Sequence, residues 1–180
     1  MVRLVAAPLQ PGTVLCTRSP GFGSWWIRFG AAIRGKPNLQ NHVAVVHHAD
    51  KAGTTWAIEG RPGGAGWKDA TGYLNSKWTI SNAAQPVTEK QGGQIAHWME
   101  ALLGSEYDWQ SIIADGLADL GIRLPGWEEK WADGQVNVQA VCSSLAAYAY
   151  AKAGVPHPPG GRGCQPSDWT TWILTRAWES

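Results

Sequence analysis

Three residues of this chain have types and spacing that could do chemistry together: a cysteine at a helix start, a histidine opening one strand and a glutamate closing the next. Cys142 opens the run Cys142-Ser143-Ser144-Leu145-Ala146-Ala147-Tyr148-Ala149-Tyr150-Ala151-Lys152-Ala153-Gly154. The run is rich in small helix formers, carries two serines in its first turn and ends at a glycine suited to a C-terminal cap. At the N-terminus of such a helix, unpaired N–H groups and the macrodipole favour negative charge. A thiol there should therefore ionise more readily than a free cysteine. A lone cysteine in that position is more often a small buried apolar residue; His42 and Glu59 change the reading.

Asn41-His42-Val43-Ala44-Val45-Val46-His47 and Thr54-Thr55-Trp56-Ala57-Ile58-Glu59 are strand patterns separated by a turn-like stretch ending at Gly53. A hairpin centred between Asp50 and Lys51 would pair His42 with Glu59, Ala44 with Ala57 and Val46 with Thr55. Directly opposed side chains have Cβ atoms about 4.5–5.5 Å apart, so His42 and Glu59 could hydrogen-bond without a special loop. The other face, Val43, Val45, Trp56 and Ile58, is ordinary core. The His/Glu face is otherwise small, and the alanine-rich Cys142 helix is expected to pack on it. Cys142 would then be a nucleophile and His42 its base, with Glu59 fixing the imidazole tautomer and stabilising the imidazolium. A one-residue slip of register would send Glu59 to the opposite face. Asp108 is the alternative orienting acid, although a turn or helix-cap role would also suit it.

The remaining elements must position these three. Pro11-Gly12 turns the chain into a short strand over residues 13–17. Ser24 can cap a helix over residues 25–34, closed at Gly35. Residues 60–66 read as a glycine-rich loop, and Lys77-Trp78-Thr79-Ile80 as a weaker strand. Thr88-Glu89-Lys90-Gln91 is a capping box opening a helix that presents Ile95, Trp98, Met99 and Leu102 on one face and ends at Gly104. A further helix is expected near Trp109, Ile112, Ile113 and Leu117, with a loop-rich stretch over residues 123–139. The tail, residues 167–178, fits helix or strand.

Composition sets the outer limits. The chain has 180 residues, enough for a single domain over 1–180 with a real core. A formal net charge of +1 supplies no strong pull toward nucleic acid or anionic membrane. No long apolar run suggests a membrane span, and the N-terminus is too short and too early broken by Pro8 for a signal peptide. Three cysteines, Cys16, Cys142 and Cys164, cannot all pair and match no zinc spacing; Cys16, in a strand, is expected to be buried and inert. His47-His48 lacks a further ligand at metal spacing, and Gly160-Gly161-Arg162-Gly163 lacks the lysine and hydroxyl of a phosphate loop. No cofactor is expected. The 12 tryptophans can line a core or a sugar- or peptide-binding groove.

The ordered set of motifs resembles the circularly permuted papain-like group, related to the NlpC-type cell-wall peptidases. That group includes the YiiX-like amidases and the lecithin:retinol acyltransferase-like enzymes. The matching pieces are Gly12-Thr13-Val14-Leu15 for an opening strand, Asn41-His42-Val43-Ala44-Val45-Val46 for the histidine strand and Ile58-Glu59 for the acid. Gly104-Ser105-Glu106-Tyr107-Asp108 matches a Gly-x-x-Tyr-Asp segment, Val141-Cys142-Ser143-Ser144-Leu145 the nucleophile, and Gln165-Pro166-Ser167-Asp168-Trp169 a late Pro-x-Asp segment. Two positions depart from the pattern: the group often has Gly-Asp at Gly12-Thr13, and Cys-Ser-Glu at Cys142-Ser143-Ser144. They flank the triad and bear on substrate more than on catalysis. The resemblance implies an α+β fold, with an antiparallel sheet packed against the helix that carries Cys142. It also implies thiol hydrolysis of an amide bond, with peptidoglycan stem peptides or related amides as substrates. Without a signal peptide, such an enzyme would be made in the cytoplasm and reach the wall from a phage virion or at lysis. The acyltransferase branch implies a second class, a lipid ester or thioester hydrolase or acyltransferase. A non-catalytic, tryptophan-rich module binding glycan or peptide is the third.

Overall fold

The computed structural model describes residues 9–19, 32, 38–61, 63–83, 87–105, 142–159 and 164–179. The expected helix over 25–34 apart from residue 32, the helix near Trp109, the loop-rich stretch over 123–139, and Asp108 with its Gly-x-x-Tyr-Asp segment from Glu106 onward lie outside these residues.

The architecture is α+β. Five strands, β1 (Val14–Thr17), β2 (His42–Ala49), β3 (Thr55–Arg61), β4 (Gly64–Asp69) and β5 (Ile80–Ser81), form one sheet in the order β4-β3-β2-β1-β5. All pairings are antiparallel. The helices are α1 (Thr71–Leu74), α2 (Glu89–Glu100), α3 (Cys142–Lys152) and α4 (Pro166–Glu179). α2 opens on the expected capping box: Thr88 Oγ1 accepts from the Gln91 N–H and the Gln91 side chain accepts from the Thr88 N–H. The ambiguous tail is helix α4. Its first position is a proline, which needs no N–H there, and Asp168 accepts from the Gln165 N–H across its first turn.

The central hairpin departs from the symmetric register, and the turn explains why. Asp50 Oδ1 accepts from the N–H groups of Ala52 and Thr54, and Oδ2 from the Trp56 indole. Gly53 adopts φ +84°, where glycine carries no penalty. This side-chain-built turn sets Ala49 opposite Thr55 and His48 opposite Trp56. Continued unbroken, that ladder would put Glu59 opposite Val45, on the core face. A bulge at His47 absorbs one residue, so Val46 faces Ala57 and Ala44 faces Glu59. Glu59 is therefore diagonal to His42 rather than opposite it, but on the same face.

Of the residues expected as a glycine-rich loop, five are strand instead. Gly60 and Arg61 end β3, and Gly64, Ala65 and Gly66 begin β4. The glycines mark close approaches. A Cβ on Gly64 would stand 2.6 Å from the Ser105 carbonyl oxygen, and one on Gly66 would stand 2.9 Å from the Arg61 guanidinium.

Two apolar clusters lie on the two faces of the sheet. One joins Val14, Cys16, Val43, Val45 and Ile58 to Ile95 and Met99 of α2, Leu145, Ala146 and Tyr150 of α3, and Trp169 and Ile173 of α4. The other joins Leu15, Ala44, Val46 and Ala57 to Ala70, with Tyr73 and Leu74 of α1 and Leu9 against it. The expectation that α3 covers the small Ala44/Ala57 face is thus overturned. That face is small because α1 closes on it, and α3 packs on the Val43/Val45/Ile58 face. Buried polar atoms tie the large cluster together: Tyr150 Oη donates to the Gly12 carbonyl at 2.6 Å and accepts from Asn82 Nδ2 at 2.9 Å. The Trp169 indole donates to the Ser143 carbonyl at 3.1 Å.

Candidate active site

α3 begins at Cys142, and Gly60 of β3 lies under that end. A Cβ on Gly60 would stand 3.2 Å from both the backbone N and the Cα of Cys142. Only a residue without a side chain lets the helix start this close to the strand. Ser143 fixes the same turn from the other side, its hydroxyl donating to the Cys164 carbonyl at 2.6 Å. Although α3 covers the opposite face from His42, its N-terminus overhangs the end of the hairpin. His42 is the first residue of β2 and Gly60 the penultimate residue of β3, so both faces are within reach there.

The start of β2 is pinned. Asn41 accepts from the Ser19 N–H at 2.8 Å and donates to the Ser19 carbonyl at 3.1 Å, while its own N–H donates to the Thr17 carbonyl at 3.0 Å. His42 then pairs with Thr17 of β1. Its imidazole Nε2 lies 2.8 Å from Glu59 Oε2, and the ring is close enough to Cys142 to interact with it electrostatically. Cys142, His42 and Glu59 are 2%, 8% and 4% exposed, so electrostatic interactions there are little screened by solvent.

Electrostatics follow from that burial. Desolvation alone would lower the His42 pKa, but electrostatic interaction with Cys142, then with Glu59, outweighs it and raises the pKa to about 10. Glu59 is also penalised by burial, yet His42, the Tyr73 hydroxyl and the positive charge of Lys68 hold its carboxyl below the usual range. Both shifts favour an imidazolium–carboxylate pair between His42 and Glu59, in which Nε2 donates. The other two thiols differ. Burial pushes Cys16 far above the ordinary thiol range, and Cys164 up to about 12. All three cysteines are free and buried.

Three residues that adjoin this site were not singled out from sequence. Tyr73 of α1 donates to Glu59 Oε2 at 2.8 Å. Gly60 admits the helix, and Asn41 anchors the histidine strand. Asn41 adjoins His42 and could have been found as a polar residue opening an apolar strand. Tyr73 lies in a four-residue helix with no periodic signal.

His47 and His48 lie at the hairpin's far end, with ring nitrogens 3.0 Å apart and both rings edge-on to Trp67. Among the described residues no group of three or more His, Cys, Asp or Glu side chains could hold a metal ion. Among the same residues no helix is long and apolar enough to cross a membrane. Comparison with family models, with curated proteins and with solved structures returns no match for this chain.

Proposed function

We propose that the chain is a cysteine hydrolase that cleaves an amide bond through an acyl-enzyme on Cys142, and that its fold is of the permuted papain-like, NlpC-related kind. The observation that carries the reading is the position of His42, whose buried ring is hydrogen-bonded to Glu59 and interacts electrostatically with Cys142 at the start of α3. The chain order also supports it: a strand opening with His, a strand carrying Glu, then a later helix opening with Cys.

The chemistry runs from this arrangement. Nε2 is committed to Glu59, so proton exchange with sulfur falls to Nδ1. The thiolate attacks the substrate carbonyl carbon, and the carbonyl electron pair moves to oxygen. The Cys142 N–H, at the helix N-terminus beside Gly60, is one donor for that oxyanion. Collapse breaks the C–N bond, and the leaving amine takes the proton from His42. A water molecule then gives a proton to His42 and its hydroxide oxygen to the acyl carbon; collapse of that intermediate breaks the C–S bond, releasing a carboxylic acid and restoring the Cys142/His42 pair. Glu59 stays ionised throughout, holding the imidazole and its charge.

By its motif order, the substrate is a cell-wall stem peptide or a related amide. The test is to incubate the purified protein with peptidoglycan and, separately, with phospholipid, and to identify products by mass spectrometry. New amino and carboxyl termini from peptidoglycan that vanish with Cys142→Ala support the reading. Release of fatty acid in their place would move the chain to lipid acyl chemistry, and no Cys142-dependent product from either would overturn the hydrolase.

A further inference from the structure

We propose that Tyr73 is a positioning residue of this site: its hydroxyl clamps the Glu59 carboxylate in the orientation that holds the His42 imidazole toward Cys142. The inference rests on the cysteine-hydrolase reading above and adds a fourth member to its machinery.

Glu59 needs such a clamp. Its neighbour across β4 is Gly66, which has no side chain to steady it. Its Oε2 takes two donors, His42 Nε2 and the Tyr73 hydroxyl, each at 2.8 Å. A flexible carboxylate held at one oxygen by the imidazole alone could rotate away. A second donor on the same oxygen opposes that rotation and offsets part of the cost of burying the charge. Tyr73 also covers the imidazole directly, the two rings meeting edge-on at 6.1 Å.

Tyr73 is itself well held. Asp69 Oδ1 accepts from the Thr71 N–H at 2.8 Å, and the Ala70 N–H donates to the Thr55 carbonyl at 2.8 Å, so α1 is fastened at its start. The ring packs with Leu74 against Ala44, Val46 and Ala57. Lys68 Nζ stands 5.5 Å from the ring centroid. The charged or titratable groups acting on Glu59 and Tyr73 are therefore His42 from β2, Cys142 from α3, Lys68 from β4 and Arg61 from β3.

Tyr73→Phe keeps the ring and its packing and removes only the hydroxyl. Carbon-detected NMR of the Glu59 carboxyl in the Cys142→Ala protein needs no substrate. Loss of one donor to the charged form should raise the Glu59 midpoint by about one pH unit. The His42 Nε2 proton should also exchange faster with solvent. In the active protein, Tyr73→Phe should lower kcat on the order of tenfold with KM unchanged, and move the acid limb of the pH profile upward. On a Glu59→Gln background the same substitution should cost little further, because Tyr73 acts through that carboxylate. A folded Tyr73→Phe protein with an unmoved Glu59 midpoint, or with losses that simply add to those of Glu59→Gln, would overturn the proposal. If the NMR changes occur in a protein that turns over nothing, the positioning stands and the hydrolase reading falls.

Discussion

Gly60 faces the backbone of Cys142 with no room for a side chain between them: a methyl group at Gly60 would sit 3.2 Å from both N and Cα of Cys142 and 2.9 Å from Leu145 Cδ1. The start of α3 at Cys142 is thereby placed by the absence of a side chain on a neighbouring strand. Gly60→Ala should push the start of α3 away from β3, because the Cys142 atoms it meets are backbone and cannot rotate aside. The expected cost is about 1–3 kcal/mol of stability, as for other overpacked sites, with turnover reduced at least tenfold as Cys142 leaves the reach of His42. Gly72→Ala is the control, since nothing lies within 4 Å of its Cβ position. Urea denaturation and initial rates on the two variants check this; equal activities in both would show that the close approach is not needed.

The three thiols should separate by reactivity. Cys16 is fully buried in β1 and Cys164 is raised to about 12, so neither holds appreciable thiolate near neutrality. Cys142 has the helix N-terminus and the His42 imidazolium beside it. Iodoacetamide at mildly acidic pH, followed by peptide mapping, should modify Cys142 first. Labelling of Cys16 or Cys164 ahead of it would contradict the nucleophile assignment.

Legibility of this site in the sequence divides by the range of the signal. The capping box at Thr88 and Gln91 and the helix start at Cys142 are local and chemically specific, and both stand where the residues put them. The sharing of one face by His42 and Glu59 survived a wrong register, because the turn at Asp50 and the bulge at His47 together shift the pairing by two residues and leave the face unchanged. Neither feature has a periodic signature. The small Ala44/Ala57 face suggested the approach of α3. In fact Tyr73 and Leu74 fill that face, and the space α3 needs is made by Gly60 on the other. Glycines between residues 60 and 66 look like a loop in sequence because the reason for each is a contact distant along the chain. Whether Asp108 also contributes lies outside the described residues.

Stability should depend on pH through the buried pair, with opposite signs on its two sides. Glu59 is held below the ordinary carboxylate range. Its contribution is present above the unfolded value of about 4.3 and lost as pH falls through its folded value. His42 is raised to about 10, so its contribution is complete below the unfolded value of about 6.5 and lost as pH climbs toward the folded one. The pair therefore stabilises most between roughly pH 4.5 and 6.5. Denaturant midpoints measured across pH should show that maximum in the parent and a flatter curve in the His42→Ala/Glu59→Gln double variant. Cys142 and Glu59 both raise His42. NMR titration of the imidazole should therefore find a downward shift in Glu59→Gln. An unmoved imidazole in that variant would mean that the buried pair does not hold the ring charged.

Cys142 and His42 should behave as one catalytic unit. Cys142→Ala exchanges one small side chain for another at a helix start that tolerates alanine, so it should abolish turnover and leave the fold intact. His42→Ala should cost roughly a thousandfold or more in kcat, because the thiol loses both its base and its counter-ion. The double variant should be no worse than Cys142→Ala alone. Glu59→Gln keeps shape and one hydrogen bond while losing the charge that stabilises imidazolium, so it should be milder than either. Circular dichroism separates lost folding from lost chemistry, and single-turnover assays with mass detection of the acyl-enzyme locate the failing step. An acyl-enzyme should accumulate on no residue but Cys142. If turnover persists undiminished after Cys142→Ala in a folded protein, the thiol mechanism is excluded, and the buried Cys142–His42–Glu59 constellation would then be a structural ion pair.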